Sequence, residues 1–444
     1  MLNLLKQSRV RKRQGFVVFC LVLLAGACST QLKTENSVAL NDSPTPTALP
    51  MVLALPNYPL SVQDRATTDG AAYLTQLDAR LANLAKQETP HSRAVRAGVL
   101  FQRYQALGAT ADLDSAYSLA QELNASSALD ADAQLLAATI FSYMHAFDTA
   151  VALLDRLNDA NFGTALRLEI ANARSLTPLA ARSIPNAPLT TGKEYAELVK
   201  QANDCVDRGE LACASDYFHQ AQFFYTDVAP MPLAWLHTQQ GITLLRFDQP
   251  EQAIRFFRSA LTRLPGYSLA LSHLAQCLVR VGQFDEAREI YKKLIEQTQN
   301  PEDMAGLAVL ENKQGNAAEA QKWLIRAKIR YAERLKAFPA TYAQHAVKFY
   351  LLIADRAEAE RLAELNLALH KNAGAYITLA EVRLAAGNKA AACALLAPVI
   401  ASGRRPPELL ALQNKLQQCA PAVVDAGRAA KAALVSPLRR LPAR

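Results

Sequence analysis

Apolar and small residues recur along this chain at spacings that place them on one face of a helix, and the pattern is sharpest over the 34 residues from Ala234 to Tyr267. With Ala234 as position 1, Gly241 falls at 8, Leu244 at 11, Ala253 at 20, Phe257 at 24, Ala260 at 27 and Pro265 at 32. The same frame moved on to Ser268 puts Leu271, Leu274, Ala275, Leu278, Ala287 and Tyr291 at 4, 7, 8, 11, 20 and 24. Small residues at 8, 20 and 27 let two antiparallel helices approach closely, and large ones at 4, 7, 11 and 24 fill the groove between them. One such pair cannot bury its own apolar face. The pattern therefore predicts hairpins stacked in series, each touching its neighbours.

Further copies flank this pair. Tyr195 opens one with Ala202, Cys205, Gly209, Ala214, Phe218 and Ala221 at 8, 11, 15, 20, 24 and 27. Pro301 opens another, with Leu307, Ala308, Gly315, Ala320, Leu324 and Ala327. A poorer copy starts at Ala340, where Asp355 stands in for the turn glycine, and a clear one at Ala373 carries Gly387 and Ala392. Upstream, Leu74, Leu77, Leu81 and Leu84 share a helix face, and helices are expected near 92–107, 112–124, 131–145, 147–158 and 162–175. The pair from Ala131 is a weaker copy of the pattern. Capping-box spacing, Asp248 to Glu251 and Asn316 to Glu319, is expected to open two of the second helices. A last helix, Pro406 to Cys419, is expected to cover the open end of the stack.

The spacing closely resembles the tetratricopeptide repeat (TPR), a helix-turn-helix unit. That resemblance implies an all-α fold, a right-handed α-solenoid of TPR helix hairpins. It also implies a role in binding peptides or protein surfaces and in assembling complexes. In such arrays the concave wall is lined by first-helix positions 2, 5, 9, 12 and 13. Position 13 is Arg246, Arg280 and Lys313 in three consecutive units, which stacking would align into a cationic ladder for an extended acidic peptide. A cation at the C-terminal end of a helix is also favoured by the helix dipole alone. Trp235, at position 2, is either an anchor for a partner or part of the contact between units.

The ends of the chain change the picture. Lys6, Arg9, Arg11, Lys12 and Arg13 precede an apolar run from Phe16 to Ala25, the layout of a secretory signal and too short for a comfortable membrane span. The run ends in Leu24-Ala25-Gly26-Ala27-Cys28, which resembles the lipobox of bacterial lipoproteins, with Ala25 where Leu is preferred. The resemblance implies cleavage before Cys28, its acylation, and, with Ser29 rather than Asp next, an outer-membrane destination on the periplasmic face. The expected organisation is a signal peptide over 1–27, a Pro-, Ser- and Thr-rich tether over 28–61, and a helical block over 62–175. A Pro-rich hinge over 176–194, an array over 195–419 and a basic, disordered tail over 420–444 complete it. The formal charge of +8 belongs to the ends: five cations lie in the signal, and the tail holds Arg428, Lys431, Arg439, Arg440 and Arg444 against Asp425. The body is close to neutral, so nucleic acid is not an expected partner.

No enzyme motif is present: there is no HExxH, GxSxG or P-loop, and the seven histidines are scattered among different helices. No catalytic residue and no cofactor are expected. No Cys or His cluster has ligand spacing, so no metal is expected either. Cys205 and Cys213 lie equidistant from a turn and face each other, either as a disulfide or as two buried thiols; Cys393 with Cys419 is a weaker pair. The reading is a lipid-anchored envelope scaffold for protein partners, serving pilus, secretion or polysaccharide-export machinery or peptidoglycan enzymes. The alternative is a lipoprotein that binds glycan or peptidoglycan directly.

Overall fold

The computed structural model describes residues 69–416 except 88, 127–129, 158–162, 180–193 and 226. The signal peptide with Cys28, the tether, most of the hinge and the basic tail lie outside the described residues. Within them all regular structure is helical, in nineteen helices, and no helix is long and apolar enough to cross a membrane.

Twelve of these form six hairpins: α7 (Glu194–Asp207) with α8 (Leu211–Phe224), α9 (Pro230–Arg246) with α10 (Pro250–Arg263), and α11 (Ser268–Arg280) with α12 (Phe284–Thr298). Then come α13 (Pro301–Lys313) with α14 (Ala317–Ala337), α15 (Pro339–Leu352) with α16 (Arg356–Leu369), and α17 (Ala373–Ala385) with α18 (Lys389–Ala401). Each hairpin packs on the next, and the first helices α9, α11, α13, α15 and α17 also touch in succession, so they form one wall of an α-solenoid. The small residues do what their spacing requires. A Cβ on Gly241 would lie 2.6 Å from the Phe257 ring, and one on Gly306 would lie 2.6 Å from the Tyr291 ring. Ala253, Ala260, Ala275, Ala287 and Ala327 are fully buried between helices.

The turns share one device. Position 15 is left-handed in every unit: Gly209, Gly282, Gly315 and Gly387 have φ between 77° and 84°, and Asp248 and Ala354 have φ of 60°. In each, the following N–H donates to the carbonyl of position 11 at 2.8–2.9 Å, as Gln283 does to Leu278 and Asp355 to Tyr350. This is the Schellman closure of a helix C-terminus. Two sequence expectations are corrected here. The residue in place of the turn glycine is Ala354; Asp355 follows it and caps α16 by accepting from the Glu358 N–H at 3.3 Å. Neither expected capping box forms. Asp248 is consumed by the left-handed turn and Gln249 takes the N-cap of α10, while Asn316 donates instead to Glu311 at 2.7 Å.

The amino-terminal helices are α1 (Gly70–Leu84), α2 (Pro90–Leu107), α3 (Thr110–Ala125), α4 (Ala131–Tyr143), α5 (Phe147–Asp155) and α6 (Thr164–Arg174). The α4–α5 hairpin uses the same turn, with His145 at φ 57° and the Ala146 N–H bonded to Phe141. This block lies along the inter-unit loops of the array, in the same order as the array runs. Gly70 abuts the Arg263 carbonyl, and Gly108 abuts Ser268. The Arg330 guanidinium donates to Thr110, and Arg334 donates both terminal nitrogens to Asp114 at 2.8 and 2.9 Å while lying over Phe338 and Tyr342. Thr341 donates to the Met144 carbonyl, Asn372 to that of Ala173, and the Leu179 N–H to that of Ser402. On the opposite edge, nothing among the described residues lies within 4 Å of a Cβ built on Gly282, Gly315 or Gly387.

At one point this seam buries two imidazoles. His145 and His370 lie 4.6 Å apart, with Phe147 against both rings. The Nδ1–H of His145 donates to the Ala340 carbonyl and that of His370 to the Asn366 amide oxygen. Burial, then the neighbouring His370, lowers the His145 pKa to about 3; burial also lowers that of His370.

Two outcomes follow for stability. Ala354→Gly is expected to raise the unfolding free energy by about 1 kcal/mol, because a left-handed alanine carries a Cβ clash that glycine lacks; denaturant unfolding checks it. Both histidines have folded pKa values below the unfolded value, so their contribution is intact above about pH 6.5 and is lost as pH falls towards the folded values. The unfolded chain then binds protons that the folded chain refuses, at up to about 1.4 kcal/mol per pH unit for each ring. His370→Gln should therefore show a shallower loss of stability between about pH 6.5 and pH 4 than the wild type.

Candidate partner-binding wall

The wall of first helices carries charge at the positions that line the groove of a repeat array, but much of that charge is already paired. Arg246 ends α9, and its Nε and Nη2 donate to the two oxygens of Glu408 at 2.6 and 2.9 Å. Glu408 opens the terminal helix α19 (Pro407–Lys415). Both side chains are largely buried, at 17% and 7% exposure. Burial alone would lower the Arg246 pKa; the Glu408 carboxylate and then Asp207 outweigh it and leave it raised. Asp207 occupies position 13 of the first unit, one place the sequence-based ladder did not include. Its carboxylate accepts from Arg404 Nε at 3.0 Å, and its carbonyl accepts from the Arg405 N–H at 2.6 Å. The last loop of the array is thus seated on the first turn, where a Cβ on Gly209 would strike the Arg405 carbonyl at 2.6 Å.

The three expected ladder residues consequently differ in kind. Arg246 serves this closure. Arg280 donates to Asp248 at 3.2 Å, across one turn. Lys313 is exposed. Trp235 is 1% exposed within the core of the first unit, so of its two readings the structure favours the contact between units. Ile242 and Leu245, at positions 9 and 12 of the same unit, are buried in the main core.

Further along the wall, sequence reasoning missed a belt of ionisable groups on α11, α13, α15 and α17. Glu302 accepts from the Nδ1–H of His345 at 2.6 Å. Burial pushes its carboxyl up, but His345, His273 and Lys348 pull it further down, so it stays below the usual value. Glu381 goes the other way: burial raises it, and Lys348 offsets only part of this. Asp303 accepts from the Ser272 hydroxyl at 2.6 Å, and burial pushes it up to about 7. The signal for these groups existed, since Glu302, Lys348 and Glu381 occupy positions 2, 9 and 9 of three consecutive units. They escaped notice because the residue type changes from unit to unit, so no ladder of one charge results. The wall offers alternating acids and bases, chemistry suited to a polar peptide of mixed charge.

Cys205 of α7 and Cys213 of α8 form a disulfide, with Cα atoms 5.8 Å apart. Cys277 is a buried thiol whose pKa burial pushes up to about 12, which keeps it unreactive. Cys419 lies outside the described residues. The turn between α7 and α8 also brings the Glu210 carboxylate to the cysteine pair: ligand atoms of Cys205, Glu210 and Cys213 all lie within 4.8 Å of one another. The expectation of no metal counted only cysteine and histidine spacing and left this carboxylate out.

With this geometry in view, residues 244–308, from the end of α9 into α13, match the family model of tetratricopeptide repeats. Proteins built from them bind peptide or protein partners. Among solved structures, a tetratricopeptide repeat protein from Parabacteroides merdae is 18% identical, covering 51% of this chain and all of that one, with a TM-score of 0.28. A thermophilic TPR protein of Thermus thermophilus is 22% identical over 42% of this chain and 98% of its own, with a TM-score of 0.34. A human IFIT1 dimer with m7Gppp-AAAA is 13% identical over 84% of this chain and 98% of that one, with a TM-score of 0.39. No curated protein matches the chain.

The closure can be tested by a double-mutant cycle. Arg246→Ala leaves the Glu408 carboxylate buried without its partner and is expected to cost about 3–5 kcal/mol in denaturant unfolding. Adding Glu408→Gln should recover at least about 2 kcal/mol of that loss, the signature of coupling between the two.

Proposed function

We propose that the protein is a lipid-anchored scaffold on the periplasmic face of the outer membrane, where its repeat array holds protein partners of an envelope machine. The observation that carries this reading is the wall of serially stacked first helices, with ionisable groups from four consecutive units on one surface. A binding surface assembled from many units suits an extended polypeptide better than a small molecule. The absence of an HExxH, GxSxG or P-loop motif from the sequence fits a binding role. The anchor is inferred from Leu24–Cys28 in the sequence. Acyl chains on Cys28 add about 0.8 kcal/mol per buried methylene, and more than one chain is needed for stable attachment. The stretch 29–61 gives the folded body reach from the bilayer.

Two measurements test the two halves of the proposal. In a Gram-negative host, wild-type protein is expected to incorporate labelled palmitate and to fractionate with the outer membrane, whereas Cys28→Ser should do neither; wild-type protein without label would remove the anchor. A photo-crosslinking residue in place of Glu381, at the wall, is expected to trap a discrete protein in intact envelopes. The same residue in place of Lys322, on α14, should not. Equal crosslinking from both positions would exclude the wall as the binding surface.

A further inference from the structure

The first hairpin turn holds an arrangement that a structural disulfide does not require. Glu210 sits between Gly209 and α8, held there by its own N–H bonded to the Cys205 carbonyl at 2.9 Å. One of its carboxylate oxygens, Oε2, is buried and has no hydrogen-bond partner among the described residues. That oxygen is costly to leave unsatisfied, and a neutral disulfide beside it cannot repay the cost. The two sulfurs and a Glu210 oxygen nevertheless converge within 4.8 Å. Cys213 lies in the first turn of α8 (Leu211–Phe224), where free backbone N–H groups favour a thiolate over a thiol.

We propose that the reduced form of this turn is a metal site, in which the thiolates of Cys205 and Cys213 and the carboxylate of Glu210 bind a thiophilic divalent cation of the zinc type. Two thiolates and one carboxylate are a complete protein ligand set for zinc that keeps one open position for water. Zinc–sulfur bonds of about 2.3 Å and zinc–oxygen bonds of about 2.0–2.2 Å fit the present spread of ligand atoms once the sulfurs separate. The Cα separation of 5.8 Å need not change for that.

The chemistry balances as follows. A dithiol reductant supplies two electrons and two protons, breaks the sulfur–sulfur bond and leaves as its own disulfide. The cation then displaces the two thiol protons to solvent. The oxidised turn cannot bind, because each sulfur is committed to the other. The site also sits under the closure of the array, since the same turn carries Asp207 and Gly209, on which Arg404 and Arg405 rest. Redox state and metal supply would both act at the point where the last loop meets the first unit.

Cobalt(II) is the probe, added to the full mature chain in detergent after reduction with a phosphine, which takes up water oxygen and does not compete for the metal. Reduced wild type is expected to show the thiolate-to-cobalt charge-transfer band, bleached by equimolar zinc, whereas the oxidised protein should show none. Glu210→Gln, which keeps the side-chain shape, should weaken cobalt binding at least tenfold, and Cys213→Ser should remove the band. Cys277→Ser with Cys393→Ser should leave it in place. No band in reduced wild type would overturn the proposal. So would a band that survives Cys213→Ser, or Glu210→Gln binding as tightly as wild type.

Discussion

Among the described residues, the fold depends on reversing the chain at a single left-handed residue closed by one recurring hydrogen bond, seven times over. At His145, Gly209, Asp248, Gly282, Gly315, Ala354 and Gly387 the backbone takes positive φ, and the following N–H returns to the carbonyl five residues back. That closure satisfies exposed carbonyls at the end of each first helix and fixes the direction of the second. Antiparallel pairing then brings Gly241 within reach of Phe257, and the groove closes because no Cβ intervenes. Everything larger is a repetition of this local event. Three of the seven positions carry a side chain, so the constraint is met even where the residue type opposes it.

Local periodicity made the repeats legible, because small and large residues at fixed intervals report packing between elements that are neighbours in sequence. It also placed Cys205 opposite Cys213, since both lie the same distance from one turn. What it could not reveal are contacts whose partners are far apart in the chain. Arg246 looked like a groove cation because its register was right; nothing near it announces Glu408, 162 residues on. Asp248 and Asn316 had capping-box spacing, but Asp248 was needed for the turn and Asn316 for Glu311. The Ala340 unit looked poor for a related reason: alanine at its left-handed position gives no turn signal. The seating of the amino-terminal block relies heavily on backbone carbonyls of Ala340, Met144, Ala173 and Ser402, groups that every residue possesses and no composition discloses.

The wall and the closure divide the ionisable residues between two tasks. Asp207, Arg246, Arg404 and Glu408 neutralise one another where the ends of the array meet, which limits the cost of removing them from water. Glu302, Lys348 and Glu381 stand on successive units; Lys348 pulls both carboxyls down, yet Glu302, which His345 and His273 also pull down, ends below its usual value, and Glu381, where burial dominates, ends above it.

Repeat proteins ordinarily tolerate the duplication or loss of a unit, since each touches only its neighbours. Here the amino-terminal helices meet successive inter-unit loops in matching order, from Gly70 at Arg263 to Leu179 at Ser402. They act as a ruler laid along the array. A chain that gained one hairpin in the middle would carry every later loop past its counterpart, and Arg334, Thr341 and Asn372 could not all keep their partners. The number of repeats is therefore counted by the fold itself, and drift in length, the usual route by which such proteins diversify, is closed to this one.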